Sequence, residues 1–201
     1  TPPEGDKLRR LEAYLLGKAD DMDSTSIGIL LSGCCGLRIG ELCALQWKNI
    51  NWEEGTIQIR GTMQRIRTFR QEETRTKIII SDPKSKSSNR EIPVPAYLFD
   101  YLKRIKGNGE EYILAGKKKE YLEPRTLQYR FKKILEQLEI PYFNFHMLRH
   151  IFATNCISRG FDMKTLSELL GHSNITTTMR IYVHSDMERK KQLMAGYRLA
   201  S

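Results

Sequence analysis

The sequence predicts an α+β fold that is mainly α-helical, with a small three-stranded antiparallel sheet in its first half. Apolar residues recur at helical spacing over most of the chain, whereas three short segments between residues 56 and 94 alternate as strands. The 201 residues are 40% hydrophobic, which is enough for one domain with its own core.

Three helices are expected before the sheet. The first covers Lys7–Lys18, where leucines share one face. The second, Thr25–Gly36, is strongly apolar, and Ser24 is its expected N-cap. A turn at Gly36 separates it from the third helix, Leu37–Trp47.

The predicted strands are Thr56–Arg60, Lys77–Ser81 and Glu91–Val94. The first two are separated by a very basic segment, Gly61–Thr76, which would form an extended hairpin or a mobile loop. The last two are separated by a polar turn, Asp82–Arg90, of the kind that closes a hairpin.

Helices are predicted again over the second half of the chain. Prolines near their starts, glycines after their ends and a capping aspartate at Asp162 mark the boundaries. The predicted ranges are Tyr97–Lys106, Glu123–Leu138, His146–Arg159, Met163–Leu170, Thr176–His184 and Asp186–Arg198.

The chain carries a formal net charge of +9 and has a pI of about 9.4. This excess of positive charge favours polyanionic partners, with nucleic acid first and an anionic membrane surface second. No apolar run approaches the roughly 20 residues that span a bilayer, and we expect no signal peptide before the domain. We therefore expect no membrane partner.

The four cysteines are Cys34, Cys35, Cys43 and Cys156, and they include no C-x-x-C pair. Their mostly apolar surroundings indicate reduced, buried thiols rather than a disulfide framework or a zinc site. The chain begins with Thr1 instead of methionine, so we expect a fragment or a processed product.

One motif, from His146 to His150, reads H-M-L-R-H. On a helix its two histidines and Arg149 lie three and four positions apart and share a face. The histidine spacing is that of the zinc motif H-E-x-x-H, but Met147 replaces the glutamate which that motif needs. The alternative is a helix N-terminus with capping histidines and a salt-bridged arginine.

A second motif, from Gly171 to Tyr182, reads G-H-S-N-I-T-T-T-M-R-I-Y. A helix that ends at Gly171 would place His172 in a tight turn, held by the backbone on both sides. Tyr182, ten residues further on, is either a packing aromatic or a nucleophile.

Arg38 lies among apolar neighbours in G-L-R-I-G-E-L. Burial of an unpaired charge is costly, so this arginine must be paired or used for binding. One interpretation is a buried ion pair with Glu41, three positions on. Lys84 and Lys86 lie between two predicted strands and, taken alone, are solvated turn charges.

Together these motifs resemble the catalytic domain of the tyrosine recombinases, the phage-integrase family. That family has an arginine in a G-x-R-x-x-E-L-like helix, a hairpin lysine, H-x-x-R-H, L-G-H and then a tyrosine. The same motifs follow in the same order here, from about residue 7 to 190. The stretches S-D-P-K-S-K-S-S-N-R-E-I-P-V and T-T-T-M-R-I-Y-V-H resemble integrases of phages and conjugative transposons.

The resemblance implies a role for each matching residue. The two arginines and the first histidine would hold the scissile phosphate, and the tyrosine would attack it. His172 would stabilise the transition state or assist proton transfer. Lys84 would be the general acid, with Lys86 as the alternative. The implied catalytic set is Arg38, Lys84, His146, Arg149, His172 and Tyr182.

This set suits DNA strand transfer without metal or ATP, so we expect no cofactor. Guanidiniums can donate paired hydrogen bonds to the oxygens on which charge develops. A tyrosine hydroxyl, with a pKa of about 10, needs a base such as His146. Lys84 can supply the proton that the leaving 5′ oxygen requires. A phosphotyrosyl link conserves the bond energy for rejoining.

The predicted function is therefore site-specific recombination of double-stranded DNA, for integration and excision of a mobile element. The alternatives are a nicking and resealing enzyme like the type IB topoisomerases, and a DNA-binding relative without catalysis. Further basic residues would contact DNA phosphates. The candidates are Arg65, Arg67, Arg70, Arg75, Lys86, Arg90, Lys117, Lys118 and Lys119.

The resemblance also implies an organisation. Residues 1–201 would form a single catalytic domain, with a DNA-clamping domain upstream. Residues 185–201 would pack on a neighbouring subunit or on their own domain. The expected partners are double-stranded DNA, DNA-bending accessory proteins and other copies of the chain. Those copies would form a tetramer on two DNA sites and associate weakly or not at all without DNA. The expected location is the bacterial cytoplasm.

Overall fold

Seven α-helices and five short strands make up the part of the chain that the computed structural model describes. That part comprises residues 3–20, 23–67, 76–81, 89–116 and 120–172, with residues 174, 176, 178, 179, 191 and 195. The helices are α1 Gly5–Asp20, α2 Ser24–Cys35, α3 Ile39–Cys43, α4 Ala96–Arg104, α5 Pro124–Gln137, α6 His146–Ser158 and α7 Met163–Leu170. The strands are β1 Ile50–Asn51, β2 Thr56–Ile59, β3 Thr62–Arg67, β4 Thr76–Ser81 and β5 Arg90–Pro93. The predicted, mainly helical α+β fold is confirmed.

The strands form two antiparallel sheets. One is the predicted three-stranded sheet, in the order β1-β2-β5, where Ile57 pairs with both Ile50 and Ile92. The segment Lys77–Ser81 was expected in this sheet, but it belongs to β4, which pairs with β3 instead. The basic segment after Gly61 supplies β3 through Thr62–Arg67, which gives β4 a partner close in sequence.

Helix α2 lies at the centre of the core. Nine of its 12 residues are buried, because α1 packs on it from one side and α5 and α6 from others. Its N-cap is Asp23, one residue before the expected Ser24, because the Asp23 carboxylate accepts the Ser26 N–H at 3.0 Å. The helix ends, as predicted, at a turn through Gly36.

Helix α3 is much shorter than the predicted Leu37–Trp47. After it, the backbone makes hydrogen bonds to a distant loop instead of to its own preceding turn. The Ile113 N–H donates to Leu45 O, and the Trp47 N–H donates to Glu111 O, both at 3.0 Å. The tertiary contact therefore ends the helix, and a short 3₁₀ turn follows at Trp47–Asn49.

The last three helices begin and end within one residue of their predicted bounds. Helix α6 packs on α2 and α7, and α7 packs on β5, so the ends of these elements meet on one side of the core. The predicted helices Thr176–His184 and Asp186–Arg198 lie mostly outside the described residues. The helices that can be described include none long and apolar enough to cross a membrane. All four cysteines are free, and three are buried.

Candidate active site

Four of the six predicted catalytic residues are described, and they lie together where α2 and α7 end and α6 begins. They are Arg38, His146, Arg149 and His172. Their proximity is evident in hydrogen bonds that both arginines make to the end of α7 and in the charges that act on both histidines. Lys84 and Tyr182 lie outside the described residues.

The end of α7 holds His172 in place. Gly171 adopts a left-handed conformation with φ of 61°. Its N–H donates to Glu168 O at 3.0 Å, and the His172 N–H donates to Ser167 O at 3.1 Å. These two bonds satisfy the carbonyls of the last turn in the manner of a Schellman motif. The predicted tight turn at His172 is therefore confirmed.

The next three carbonyls, the last two of α7 and that of Gly171, each accept a hydrogen bond from a different arginine. We call Arg38, Arg90 and Arg149 the arginine cluster. Because a helix presents partial negative charge at its carboxyl end, this placement of cations is favourable. The contacts are Arg90 Nε to Leu169 O (2.7 Å), Arg149 Nη2 to Leu170 O, and Arg38 Nη2 to Gly171 O (3.4 Å).

Arg149 joins two helix ends. Its side chain is buried, with the residue only 4% exposed, and its Nη1 donates to Gly36 O at 2.6 Å. Burial, and then the charge of Arg38, lower the pKa of Arg149 to about 9. The guanidinium is therefore still cationic at neutral pH. A glycine at position 36 allows α6 to pack this close to the end of α2. A Cβ atom there would lie 2.5 Å from a ring carbon of Phe152, which is also in α6.

Glu41 links two members of the arginine cluster. Its Oε1 accepts from Arg38 Nη1 at 2.7 Å and from Arg90 Nη1 at 3.0 Å. Its Oε2 accepts from Arg90 Nη2 and from the Arg38 N–H, both at 2.9 Å. Burial would raise the pKa of Glu41, but Arg90, followed by Arg38, holds it below its usual value. The ion pair between Arg38 and Glu41 is therefore present, yet Arg38 is 37% exposed on its side chain.

The structure places Arg90, one of the expected DNA contacts, away from the surface. Its side chain is 6% exposed and lies inside the arginine cluster. A signal for this position existed in the sequence. Residues two apart on a strand share a face, and Ile92 and Val94, which follow Arg90 at that spacing, are both buried.

Both histidines of the site are neutral at neutral pH. Burial, and then the charges of His150, Arg149 and Arg38, lower the pKa of His146, which begins α6. Burial, followed by the charges of the arginine cluster, lowers the pKa of His172 to about 4. The Nδ1 of His172 lies 2.9 Å from the hydroxyl of Thr178, a contact that sequence reasoning missed.

The site therefore carries a positive charge. Three guanidiniums face one carboxylate, and the two histidines add no charge, so the arrangement can bind an anion such as a phosphodiester. Across the residues described, no group of three or more histidine, cysteine, aspartate or glutamate side chains is placed to hold a metal ion. The rings of His146 and His150 instead pack edge to face, 4.9 Å apart.

The predicted DNA contacts outside the arginine cluster are mostly beyond view. Arg65 is described: it lies on β3, is 41% exposed on its side chain and pairs with Glu123 at the start of α5. Its Nη1 also donates to the Thr76 hydroxyl at 2.8 Å. Arg67 is the last residue of β3. The candidates outside the described residues are Arg70, Arg75, Lys86, Lys117, Lys118 and Lys119.

Comparison with known proteins identifies relatives. The sequence model of the phage integrase family matches residues 4–189. A tyrosine recombinase XerC-like protein of Caldanaerobacter subterraneus subsp. tengcongensis is 33% identical over 172 residues, which cover 77% of this chain and 44% of that protein. Tyrosine recombinase XerA of Thermococcus onnurineus is 31% identical over 179 residues, with coverage of 86% and 55%. The chain thus spans about half the length of these curated relatives.

The architecture also matches solved structures. The Tn1549 transposon integrase, determined in complex with transposon right end DNA, matches with a TM-score of 0.77 and 21% identity. The match covers 97% of this chain and 65% of the integrase chain. At this identity the likeness shows a shared fold, which confirms the fold that the sequence motifs implied.

Proposed function

The chain belongs to the phage integrase family, and on this premise we propose that it is the catalytic region of a site-specific DNA recombinase. Its substrate is double-stranded DNA, and its reaction is cleavage and rejoining of strands through a 3′-phosphotyrosyl bond. Tyr182 is the nucleophile. The relation to recombinases and to an integrase solved with DNA supports this assignment.

The observation that carries the proposal is the arginine cluster at the end of α7. Arg149 is held by neutral carbonyls, so its positive charge is not cancelled by its own partners. Arg38 is partly exposed beside it and, within the described residues, makes its short side-chain bond through Nη1 alone. Two such guanidiniums can bind the non-bridging oxygens of one phosphate in a fixed geometry.

The neutral histidines supply the remaining requirement of the described site, a group that accepts a proton. An imidazole with a lowered pKa is unprotonated at neutral pH, so His146 can take the proton of the attacking hydroxyl. The contact of His172 Nδ1 with Thr178 fixes its ring orientation and leaves Nε2 for the phosphate or for proton transfer.

The reaction balances without metal or ATP. The Tyr182 oxygen forms a bond to phosphorus while the bond to the 5′ oxygen breaks. The tyrosine proton passes to His146, and the 5′ oxygen receives a proton from Lys84. A 5′ hydroxyl of another strand then reverses both steps and releases the tyrosine. The result is an exchange of strands, as integration or excision of a mobile element requires.

The assembly of the enzyme is part of the same proposal. Copies of the chain act as a tetramer on two DNA sites, and residues 185–201 pack on a neighbouring subunit. A DNA-clamping domain upstream strengthens DNA binding, and DNA-bending proteins assist. The enzyme works on DNA in the bacterial cytoplasm.

The nucleophile can be tested with a pool of nicked duplexes of randomised sequence. Cleavage beside the nick releases a short strand, so the covalent intermediate accumulates and is detected on a denaturing gel. We expect an adduct with the unaltered chain and none with Tyr182→Phe. Sequencing of the captured strands identifies the preferred site.

Tyr197→Phe is the matched control, and it should leave the adduct intact. If the adduct persists in Tyr182→Phe and disappears in Tyr197→Phe, the assigned nucleophile is wrong. Relaxation of any supercoiled plasmid, with no preferred sequence among the captured strands, would instead indicate an enzyme like the type IB topoisomerases.

The general acid can be tested with a leaving group that needs no proton. Lys84→Ala should slow cleavage strongly when the leaving group is a 5′ hydroxyl, and much less when it is a 5′ thiol. Lys86→Ala is the control and should slow neither reaction selectively. Equal slowing of both substrates by Lys84→Ala would remove its role, and selective slowing by Lys86→Ala would transfer that role to Lys86.

A further inference from the structure

We propose that Arg90 is a positioning residue for strand cleavage: it occupies the carboxylate of Glu41 and thereby keeps the guanidinium of Arg38 available to the scissile phosphate. The inference rests on the proposed function. Arg90 itself does not touch the DNA, because its side chain is 6% exposed.

The carboxylate of Glu41 is saturated with hydrogen bonds from Arg38 and Arg90. This carboxylate is 5% exposed and accepts four hydrogen bonds, two on each oxygen. Arg90 supplies one bond to each oxygen, at 3.0 and 2.9 Å, in a paired geometry. Arg38 supplies the other two, one from Nη1 and one from its backbone N–H.

Arg90 prevents Glu41 from binding the whole guanidinium of Arg38. A buried carboxylate without Arg90 would attract the nearest remaining cation, and Arg38 already lies 2.7 Å from Oε1. Without Arg90, one acceptor position is open on each carboxylate oxygen, and both terminal nitrogens of Arg38 can close on Glu41 as a fork. The carboxylate then offsets the positive charge of the guanidinium. The N–H groups of Arg38 also no longer point towards the phosphate.

Arg90 is anchored by both α7 and β5. Its Nε donates to Leu169 O at 2.7 Å, in the last turn of α7, and its backbone begins β5. The bond to α7 and the paired bonds to Glu41 fix the guanidinium from two sides. Arg38 has no comparable support, since its bond to the neighbouring carbonyl of Gly171 is 3.4 Å long. The more rigid arginine therefore sets the position of the more exposed one.

The test compares two versions of the preferred nicked duplex. One has an ordinary scissile phosphate, and in the other a methyl group replaces one non-bridging oxygen, which removes the negative charge that Arg38 would offset. Arg90→Gln should slow cleavage of the phosphate by roughly 100-fold, the order of loss when a catalytic group is misplaced by about 1 Å. It should slow cleavage of the methylphosphonate much less.

Three further variants define the cause. Arg90→Lys keeps the charge but not the paired bonds, and it should give an intermediate loss on the phosphate. Adding Glu41→Gln to Arg90→Gln removes the charge that captures Arg38, and it should restore part of the activity. Arg130→Gln removes a half-buried arginine that bonds Thr25 instead of Glu41, so it should leave the phosphate-to-methylphosphonate ratio unchanged.

A crystal structure of the Arg90→Gln chain is the second measurement, and it does not depend on cleavage. We expect both terminal nitrogens of Arg38 on the Glu41 carboxylate. An unmoved Arg38, or an equal loss on both DNA substrates, overturns the inference. If the unaltered chain forms no adduct with any duplex, the proposed function fails, and the position of Arg38 in this crystal structure still decides whether Arg90 controls it.

Discussion

Arg149 in the arginine cluster and Arg65 on β3 are held in two different ways. Arg149 is buried and donates to the carbonyls of Gly36 and Leu170. Arg65 is 41% exposed and pairs with the carboxylate of Glu123. The first has neutral partners that orient it, whereas the second has a charged partner that offsets its charge.

The nature of the partner decides whether a cation that is fixed in position can still bind an anion. Carbonyls at a helix end satisfy the N–H donors and carry only partial negative charge, so most of the field of the guanidinium remains. A carboxylate partner must be displaced or outcompeted before a phosphate can bind. Arg149 is thus preorganised for an anion, and Arg65 is not.

The largest expected effect is that of Arg149→Met. This change leaves two buried carbonyls without donors, each worth roughly 1–3 kcal/mol, so the free energy of unfolding should fall by about 3 kcal/mol. Urea unfolding followed by circular dichroism measures it. Arg65→Met is the matched control, and an equal loss of stability in the two variants would break the comparison.

An intermediate effect is expected at His172, whose pKa is lowered by burial and then by the charges of the arginine cluster. Its pKa is about 6.5 in the unfolded chain and about 4 in the folded one. The unfolded chain therefore binds more protons between these values, and stability should fall as the pH falls from about 6.5 towards about 4. His172→Gln should remove this part of the dependence.

The same titration can be followed directly at the imidazole ring by nuclear magnetic resonance. A midpoint near the ordinary histidine value would show that neither burial nor the charges of Arg149, Arg38 and Arg90 lower the pKa of His172. The positive field attributed to the arginine cluster would then be absent at this ring.

The smallest effect is expected at the hairpin. Arg65→Gln should change the free energy of unfolding by less than about 1 kcal/mol, because the Arg65 end of the ion pair is open to solvent and such pairs contribute little. It should weaken DNA binding evenly across sequences and lower the salt dependence by about one charge. Glu123→Gln should do the reverse, since it leaves Arg65 with its full charge. Fluorescence anisotropy at several salt concentrations measures the DNA affinity of both variants. A loss of affinity for some DNA sequences only would indicate that Arg65 recognises bases.

Local patterns predicted the elements that depend on local signals. The start of α5 follows from Pro124, and the bounds of α7 follow from Asp162 as an N-cap and Gly171 as a stop, all of which act within a single turn. The tight turn at His172 was predictable for the same reason. The pair of Arg38 and Glu41 could be anticipated because three positions separate them.

Features that depend on distant residues were not predictable in this way. Helix α3 ends early because the Leu45 carbonyl accepts a hydrogen bond from the Ile113 N–H. Strand β4 pairs with β3, although other strands of similar pattern were available. Arg90 was expected on the surface because its neighbours are polar, while its partners Glu41 and Leu169 lie 49 and 79 positions away. Charge alone does not reveal whether an arginine faces solvent or a carboxylate.

The bonds that build the arginine cluster have a consequence for the timing of synthesis. Arg38 meets Gly171 across 133 positions, and Arg149 meets Gly36 across 113. Arg38 is therefore synthesised long before the end of α7, and contacts of such long range form late in folding. The arginine cluster is complete only when the chain has been made as far as Gly171, so a shorter chain lacks the arrangement that can bind an anion.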